Sequence, residues 1–256
     1  LMKKTLIIAE AGVNHNGSLK LAKKMIEIAA KAKCDFVKFQ TFNPDELVHK
    51  KAKMAYYQKN NLKKKLTQNQ MLKKYQLSKK DHVELIKICK KNNIKFLSTA
   101  FDIKSLKLLL DLRISTFKIP SGEITNYPYL EFIGKQNKKI FMSTGMSNMD
   151  EVKNAFKILT KNGTNKKNIT ILHCNTEYPT PLKDVNLRAM LAIKKELNVD
   201  VGYSDHSLGI TVPIAAVALG AKVIEKHFTL NQKMSGPDHK ASLNADNLAI
   251  LVKAIR

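Results

Sequence analysis

Eight short apolar runs, each ending in polar and chemically capable residues, recur along the 256-residue chain. They are TLIIAEAG from Thr5, DFVKFQTF from Asp35, KFLSTAF from Lys95, TFKIPSGE from Thr116, KIFMSTGM from Lys139, ITILHCN from Ile169, DVGYSDH from Asp200 and AKVIEKHF from Ala221. Strands alternating with helical patterns imply a parallel sheet, because parallel neighbours need a crossover between them. Eight such units in roughly 250 residues predict an α/β chain folded as a single (β/α)8 TIM barrel over residues 1–256. In that architecture the carboxyl ends of the strands converge on one mouth. The endings then become a candidate site: Glu10, Lys38 with Gln40, Thr99, Lys118 with Ser121, Asn175, His206 and His227.

Helical periodicity is expected over Ser18–Ala32, with Ser18 as N-cap, and over Ser78–Asn92, Asn148–Lys161, Leu187–Leu197, Thr211–Leu219 and Ala245–Ile255. The longest interruption, about 43–77, is polar and rich in Lys, Gln and Asn, and carries Tyr56, Tyr57 and Tyr75. It reads as a long βα loop forming a lid over the mouth.

Composition limits the partners. A hydrophobic content of 44% can build one large core, and no apolar stretch is long enough to span a bilayer. The opening LMKKTLIIAEAG ends its apolar run in Glu10 and continues into a polar loop, so it reads as a first strand rather than a signal peptide. Leu1 before Met2 looks like a cloning remnant. Cys34, Cys89 and Cys174 are widely spaced and form neither a disulfide framework nor a CxxC metal site, so a cytoplasmic, reduced protein is expected. The net charge of +24 raises nucleic acid as a partner. Arginine, however, occurs only at Arg113, Arg188 and Arg256, and the densest run, Lys63 to Lys65, has no interleaved aromatics. A field that attracts anionic substrates is the better reading. No glycine-rich nucleotide cradle occurs.

Side chains alternate along a strand. Leu6, Ile8 and Glu10 therefore share a face, as do Phe36, Lys38 and Gln40, then Gly202, Ser204 and His206, and Val223, Glu225 and His227. Ile7, Val37, Phe39, Ile224 and Phe228 are left to face the helices. Burying Glu, Lys and His in a barrel is costly unless they are paired, hydrogen-bonded or ligating. His206 and His227 end adjacent strands at matching depth, which suits joint ligation of one metal ion. Asp238, in the SGPDH segment just beyond, is placed to reach the metal's waters or a substrate. Ligation by His, water and carboxylate without thiolate suits Mn2+, with Mg2+ or Co2+ as alternatives. Lys38 and Lys118, with Thr99, Ser121 and Ser204, suit a compact anion carrying a phosphate near a carboxylate. The competing expectation is that the lysines simply pair with Glu10, Glu123 and Glu225.

IAEAGVNHNG, FVKFQTF, FKIPSGEITNYP, STGM, LHCNTEYPTP, VGYSDHSLG, ALGAKVIEKHFTL and SGPDHKASL, in this order from Thr5 to Arg256, resemble the catalytic barrel of the sialic acid synthase family, which includes the N-acetylneuraminate, legionaminate and pseudaminate synthases and the spore-coat polysaccharide synthases. The GPDH segment is closer to the neuraminate and legionaminate branch. The resemblance implies metal-dependent condensation of phosphoenolpyruvate with N-acetylmannosamine or a related N-acetylated hexose, giving a nine-carbon 2-keto sugar acid and phosphate. It implies that His206 and His227 hold the metal. Lys38, Thr99, Lys118, Ser121 and Ser204 would surround phosphoenolpyruvate, with Asn175 or Thr176 on its phosphate. Gln40, Tyr178 and Asp238 would meet the sugar, and Glu10 the reacting centre. Family members also carry a small antifreeze-like domain after the barrel and form a swapped homodimer. No stretch here corresponds to that domain, so the chain is expected to be a piece of a longer protein whose isolated barrel is weakly active. Two other readings stay open. One is a barrel condensing phosphoenolpyruvate into a seven- or eight-carbon keto-sugar phosphate, which the scarcity of arginine disfavours. The other is a non-catalytic basic protein that binds polyanions.

Overall fold

The computed structural model describes residues 4–62 and 66–256. The Lys63–Lys65 run and Leu1 lie outside the described residues. Eight strands follow one another around a closed parallel barrel: β1 (Leu6–Gly12), β2 (Phe36–Thr41), β3 (Lys95–Ala100), β4 (Thr116–Ile119), β5 (Lys139–Ser143), β6 (Ile169–Cys174), β7 (Asp200–Asp205) and β8 (Val223–His227). Pairing of β1 with β8, from Leu6 opposite Val223 to Glu10 opposite His227, closes the ring. The (β/α)8 expectation is met.

The described helices are α1 (Leu19–Lys31), α2 (Pro44–Leu47), α3 (Tyr56–Leu62), α4 (Gln68–Tyr75), α5 (Lys79–Lys91), α6 (Ile103–Asp111), α7 (Tyr127–Gly134), α8 (Met149–Lys161), α9 (Leu187–Leu197), α10 (Thr211–Ala218) and α11 (Ala245–Ile255). Their starts follow from short polar side chains. Ser18 accepts from Leu21 N at the head of α1, and Ser78 with Asp81, and Asn148 with Glu151, form reciprocal capping boxes on α5 and α8. Helices α6 and α7 are not among those read from the sequence. The Leu-rich run of α6 is short enough to be mistaken for a buried strand, although Asp102 caps it.

Strand alternation separates two cores. Inside the barrel Ile8, Phe36, Leu97, Phe141, Leu172 and Val223 form an apolar floor, with Phe36 and Phe141 edge to face at 5.9 Å. Outside, Ile7, Val37, Phe39 and Phe228 pack with Met25 and Ile26 of α1 and Leu248 and Leu251 of α11. Ile224 joins the corresponding cluster with Tyr203 and Ala216. Each fully buried aliphatic side chain of this kind contributes about 1.5–3 kcal/mol. The floor excludes water from below, so polar residues one layer up meet solvent only through the mouth.

Among its described residues, the segment read as a long loop is largely helical. It contains α2, α3 and α4, and α4 begins with a Thr67–Gln70 capping box. Leu62, Met71, Leu72 and Tyr75 form a small core with Val13 and Phe42. Polar composition hides this, because the few apolar residues are spread over short helices. The segment does reach the mouth: Asn61 Nδ2 donates to Pro237 O at 2.6 Å, and Tyr57 stacks on Tyr178 at 5.3 Å. Among the described residues no helix is long and apolar enough to cross a membrane.

Candidate active site

Register gathers the charged residues near the carboxyl end of the barrel. Glu10 lies opposite both Lys38 and His227, Thr99 opposite Lys118, and Ser204 opposite Glu225. They line a cavity of about 210 Å³ at the carboxyl ends of the strands, together with Gln40, Ser121, Thr176, Tyr178 and His206. Gly12 turns the chain away at the end of β1 with φ 51°. The backbone there favours glycine, and a Cβ would stand close to the site, 3.3 Å from Glu10 Oε1 and 3.4 Å from His227 Cε1.

At the base is a four-member charge cage. Lys38 Nζ is 2.9 Å from Glu10 Oε2 and 3.6 Å from Glu225 Oε2, and Lys118 Nζ is 3.7 Å from Glu225 Oε1. Lys38 also donates to Thr99 Oγ1 at 2.8 Å, Lys118 to Ser143 Oγ at 2.7 Å, and Ser204 Oγ to Glu225 Oε1 at 2.9 Å. All four charged residues are at most 5 % exposed. The pairing of lysines with Glu10 and Glu225 is therefore real, but Glu123 is not part of it: its carboxylate accepts from Asn126 at 2.6 Å. Glu225 and Ser143 are members that the sequence reading did not assign to the site. Inward parity with Phe141 was the available signal for Ser143.

The cage splits its two carboxyls. Burial pushes Glu10 up to about 7, against the pull of Lys38. Burial acts the same way on Glu225, but Lys118 and Lys38, with the Ser204 hydrogen bond, bring it down to about 2. Burial lowers Lys118, while for Lys38 the charges of Glu10 and Glu225 overcome burial and raise it. Near neutral pH one carboxyl can hold a proton while the other stays ionised, leaving net positive charge for an anion.

Bordering the same cavity are the two imidazoles, with ring centroids 5.5 Å apart. Rings bound to one ion through bonds of about 2.1 Å cannot be separated by more than roughly 6.5 Å, so the spacing fits a shared cation. His206 Nδ1 donates to Asn175 O at 2.5 Å, which leaves Nε2 with a free electron pair, now met by the Tyr178 hydroxyl at 2.9 Å. His227 Nδ1 is buried without a hydrogen-bond partner. Burial holds His206 down to about 4 and His227 well below its ordinary value, so both are neutral donors. Among the described residues no group of three His, Cys, Asp or Glu could hold a metal, so water or substrate would complete the coordination. The donor set fits a divalent cation of the Mn2+ kind.

Other candidates fall differently. Thr176 borders the cavity, whereas Asn175 does not: its carbonyl binds His206 and its Oδ1 accepts from Glu177 N at 2.7 Å. Ser121 lies in a short turn beyond β4, where its Oγ accepts from Gly145 N at 2.9 Å. Asp238 lies in an adjoining cleft of about 340 Å³ that shares Gln40, Tyr178 and His227 with the first cavity. Burial raises Asp238 to about 6 against a hydrogen bond from Tyr57, and among the described residues its Oδ1 has no partner. Tyr178 stacks on His206 at 4.1 Å, and Tyr57 from α3 covers it. The sequence reading did not place Tyr57 in the site.

Comparison with known proteins fits this arrangement. The NeuB family pattern matches residues 25–256. The N,N'-diacetyllegionaminic acid synthase of Campylobacter jejuni is 58% identical over 255 residues, covering 100% of this chain and 76% of the relative. The synthase of the same name from Legionella pneumophila is 46% identical, covering 98% of this chain and 71% of its own. The crystal structure of the N-acetylneuraminic acid (sialic acid) synthetase of Leptospira borgpetersenii, in complex with citrate, superposes with a TM-score of 0.87 at 34% identity, covering 98% of this chain and 82% of that one. With a family match across most of its length and relatives this similar, the chain belongs to the NeuB family.

Proposed function

We propose that this barrel is a sialic-acid-type synthase that joins phosphoenolpyruvate to the open-chain form of an N-acetylated hexose. The observation that carries the reading is the buried cage of Glu10, Lys38, Lys118 and Glu225 lining one cavity with two neutral imidazoles. An isolated buried pair needs no such opening, and a polyanion-binding surface needs no such depth. Lys38, Lys118, Thr99, Ser121, Ser204 and Thr176 offer donors to a phosphate and a carboxylate at the cavity base. A divalent cation held by His206 and His227, Mn2+ by its donor set, would supply Lewis acidity at the acceptor's aldehyde oxygen.

The C2–C3 π pair of phosphoenolpyruvate forms the new bond from C3 to the aldehyde carbon. The C=O π pair moves to the aldehyde oxygen, which takes up a proton to become a hydroxyl, and C2 is left positively charged. Glu10, poised near neutrality, stabilises that charge or takes the proton of the water that adds there. The resulting tetrahedral centre releases phosphate by C–O cleavage, and Lys38 and Lys118 neutralise the departing charge. Gln40, Tyr178 and Asp238 flank the acceptor in the adjoining cleft. Walls of Val13, Phe42, Leu47, Met71 and Leu72 suit N-acetyl and 6-deoxy methyl groups. The names of the relatives from Campylobacter jejuni and Legionella pneumophila support the 2,4-diacetamido-6-deoxy sugar over N-acetylmannosamine.

Phosphate release tests the reading. With phosphoenolpyruvate and Mn2+ it should require an N-acetylated hexose, be fastest with the diacetamido sugar, stop with EDTA and be absent with arabinose 5-phosphate. Release with arabinose 5-phosphate, or none with any N-acetylated hexose using the full-length protein, would refute it.

A further inference from the structure

Behind the two imidazoles, on the helix-facing side of the sheet, lies a second ion pair that plays no part in the cavity. Asp205 and Lys226 are register partners on β7 and β8, and each is 1 % exposed. Lys226 Nζ is 2.5 Å from Asp205 Oδ2 and also donates to Ser207 O at 2.5 Å. Asp205 Oδ1 accepts from Ser207 N at 2.9 Å and from Ser207 Oγ at 2.7 Å. One ammonium therefore grips the residues immediately before and after His206, and that ammonium belongs to the residue immediately before His227. Alternation points Asp205 and Lys226 outward while the imidazoles on either side point into the mouth.

Stability does not account for this pair. Two charges removed from water cost desolvation that an apolar pair of similar volume would avoid. The pair does fix a geometric relation between two strand ends, since a slip of either would break the carboxylate and carbonyl contacts together. Among the described residues, no other side chain links the residue before one imidazole to both neighbours of the other.

We propose that Asp205 and Lys226 are positioning residues that set the separation and depth of His206 and His227 for a shared divalent cation. The proposal rests on the metal reading above. It is tested by titrating the protein with Mn2+ alone, following free Mn2+ by electron paramagnetic resonance, alongside thermal unfolding. The Asp205→Leu/Lys226→Met double variant removes both charges together and leaves neither buried alone. It should melt near the wild-type temperature yet bind Mn2+ at least about ten-fold more weakly. A folded double variant with wild-type affinity overturns the proposal, because a purely structural pair would move the melting temperature and leave the affinity unchanged. If the double variant does not fold, Asp205→Asn keeps an acceptor for Ser207 and removes the charge facing Lys226. Weaker Mn2+ binding by Asp205→Asn supports the proposal, and unchanged binding overturns it. A wild-type protein that binds no Mn2+ overturns the metal reading as well, whereas wild-type binding with an unaffected variant overturns the positioning role alone.

Discussion

Glu10 is the residue at which environment and chemistry meet most closely. Burial raises its carboxyl to about 7 while Lys38 pulls the other way, so near neutral pH it exchanges a proton readily. Glu10→Gln, which mimics the protonated form, should leave folding intact and lower kcat by roughly 10²-fold or more, with little change in the KM for phosphoenolpyruvate. Steady-state kinetics with kcat within a few-fold of wild type would remove Glu10 from the chemistry. Glu10, Lys38, Thr99, Lys118, His206 and His227 were legible in the sequence because alternation puts a charged or hydroxyl side chain where a barrel interior would otherwise be apolar. Glu225 was legible as inward-facing and as a possible partner of the lysines, but sequence could not separate it from Glu123, since it carries parity and not cross-barrel distance. Asn175 against Thr176 was undecidable for the same reason: consecutive residues beyond a strand end have no parity to separate them.

Among the elements, the helices with short polar caps were the most legible, and the segment over the mouth the least. Asn148→Ala removes the cap that accepts from Glu151 N at 2.9 Å and should cost about 1 kcal/mol by urea unfolding, with catalytic constants unchanged. Helix α3 matters in the opposite way. Tyr57 stacks on Tyr178, which in turn stacks on His206, so α3 shapes the outer wall of the cleft beside the imidazoles. Tyr57→Ala should raise the KM for the acceptor by roughly ten-fold, leaving the KM for phosphoenolpyruvate and the melting temperature near wild type. An unchanged acceptor KM would restrict the segment to a structural role. Its helices escaped the sequence reading because three short elements share one small core, and none alone shows enough periodicity.

For the molecule as a whole, the fold was legible because eight repeats of one pattern leave few topologies open, and the charge pattern described the solvent-facing shell. The buried titratable groups set the acid response. Burial holds His15, His206 and His239 down to about 4 and His227 well below its ordinary value. These imidazoles stay neutral in the fold and gain protons on unfolding, so their contribution is complete above pH 6.5 and is lost as pH falls toward 4. Glu10 and Asp238, raised to about 7 and about 6, act in the opposite sense, with a contribution complete at low pH and lost as pH rises through those values. The imidazoles outnumber the carboxyls, so unfolding near pH 5 should take up roughly two protons, equivalent to about 3 kcal/mol per pH unit. Thermal unfolding at low ionic strength should show a melting temperature that falls steadily from pH 6.5 to 4.5. A flat or rising profile would contradict the burial pattern.

The central claim is that two strand ends bring His206 and His227 onto one cation in the cavity of the lysine–glutamate cage. Anomalous scattering at the manganese edge, from crystals of the full-length protein grown with Mn2+ and phosphoenolpyruvate, measures this directly. One peak bonded to a nitrogen of each imidazole, with the phosphoenolpyruvate phosphate or carboxylate against Lys38 and Lys118, is the expected result. A manganese peak elsewhere, or none at the mouth, would contradict the account.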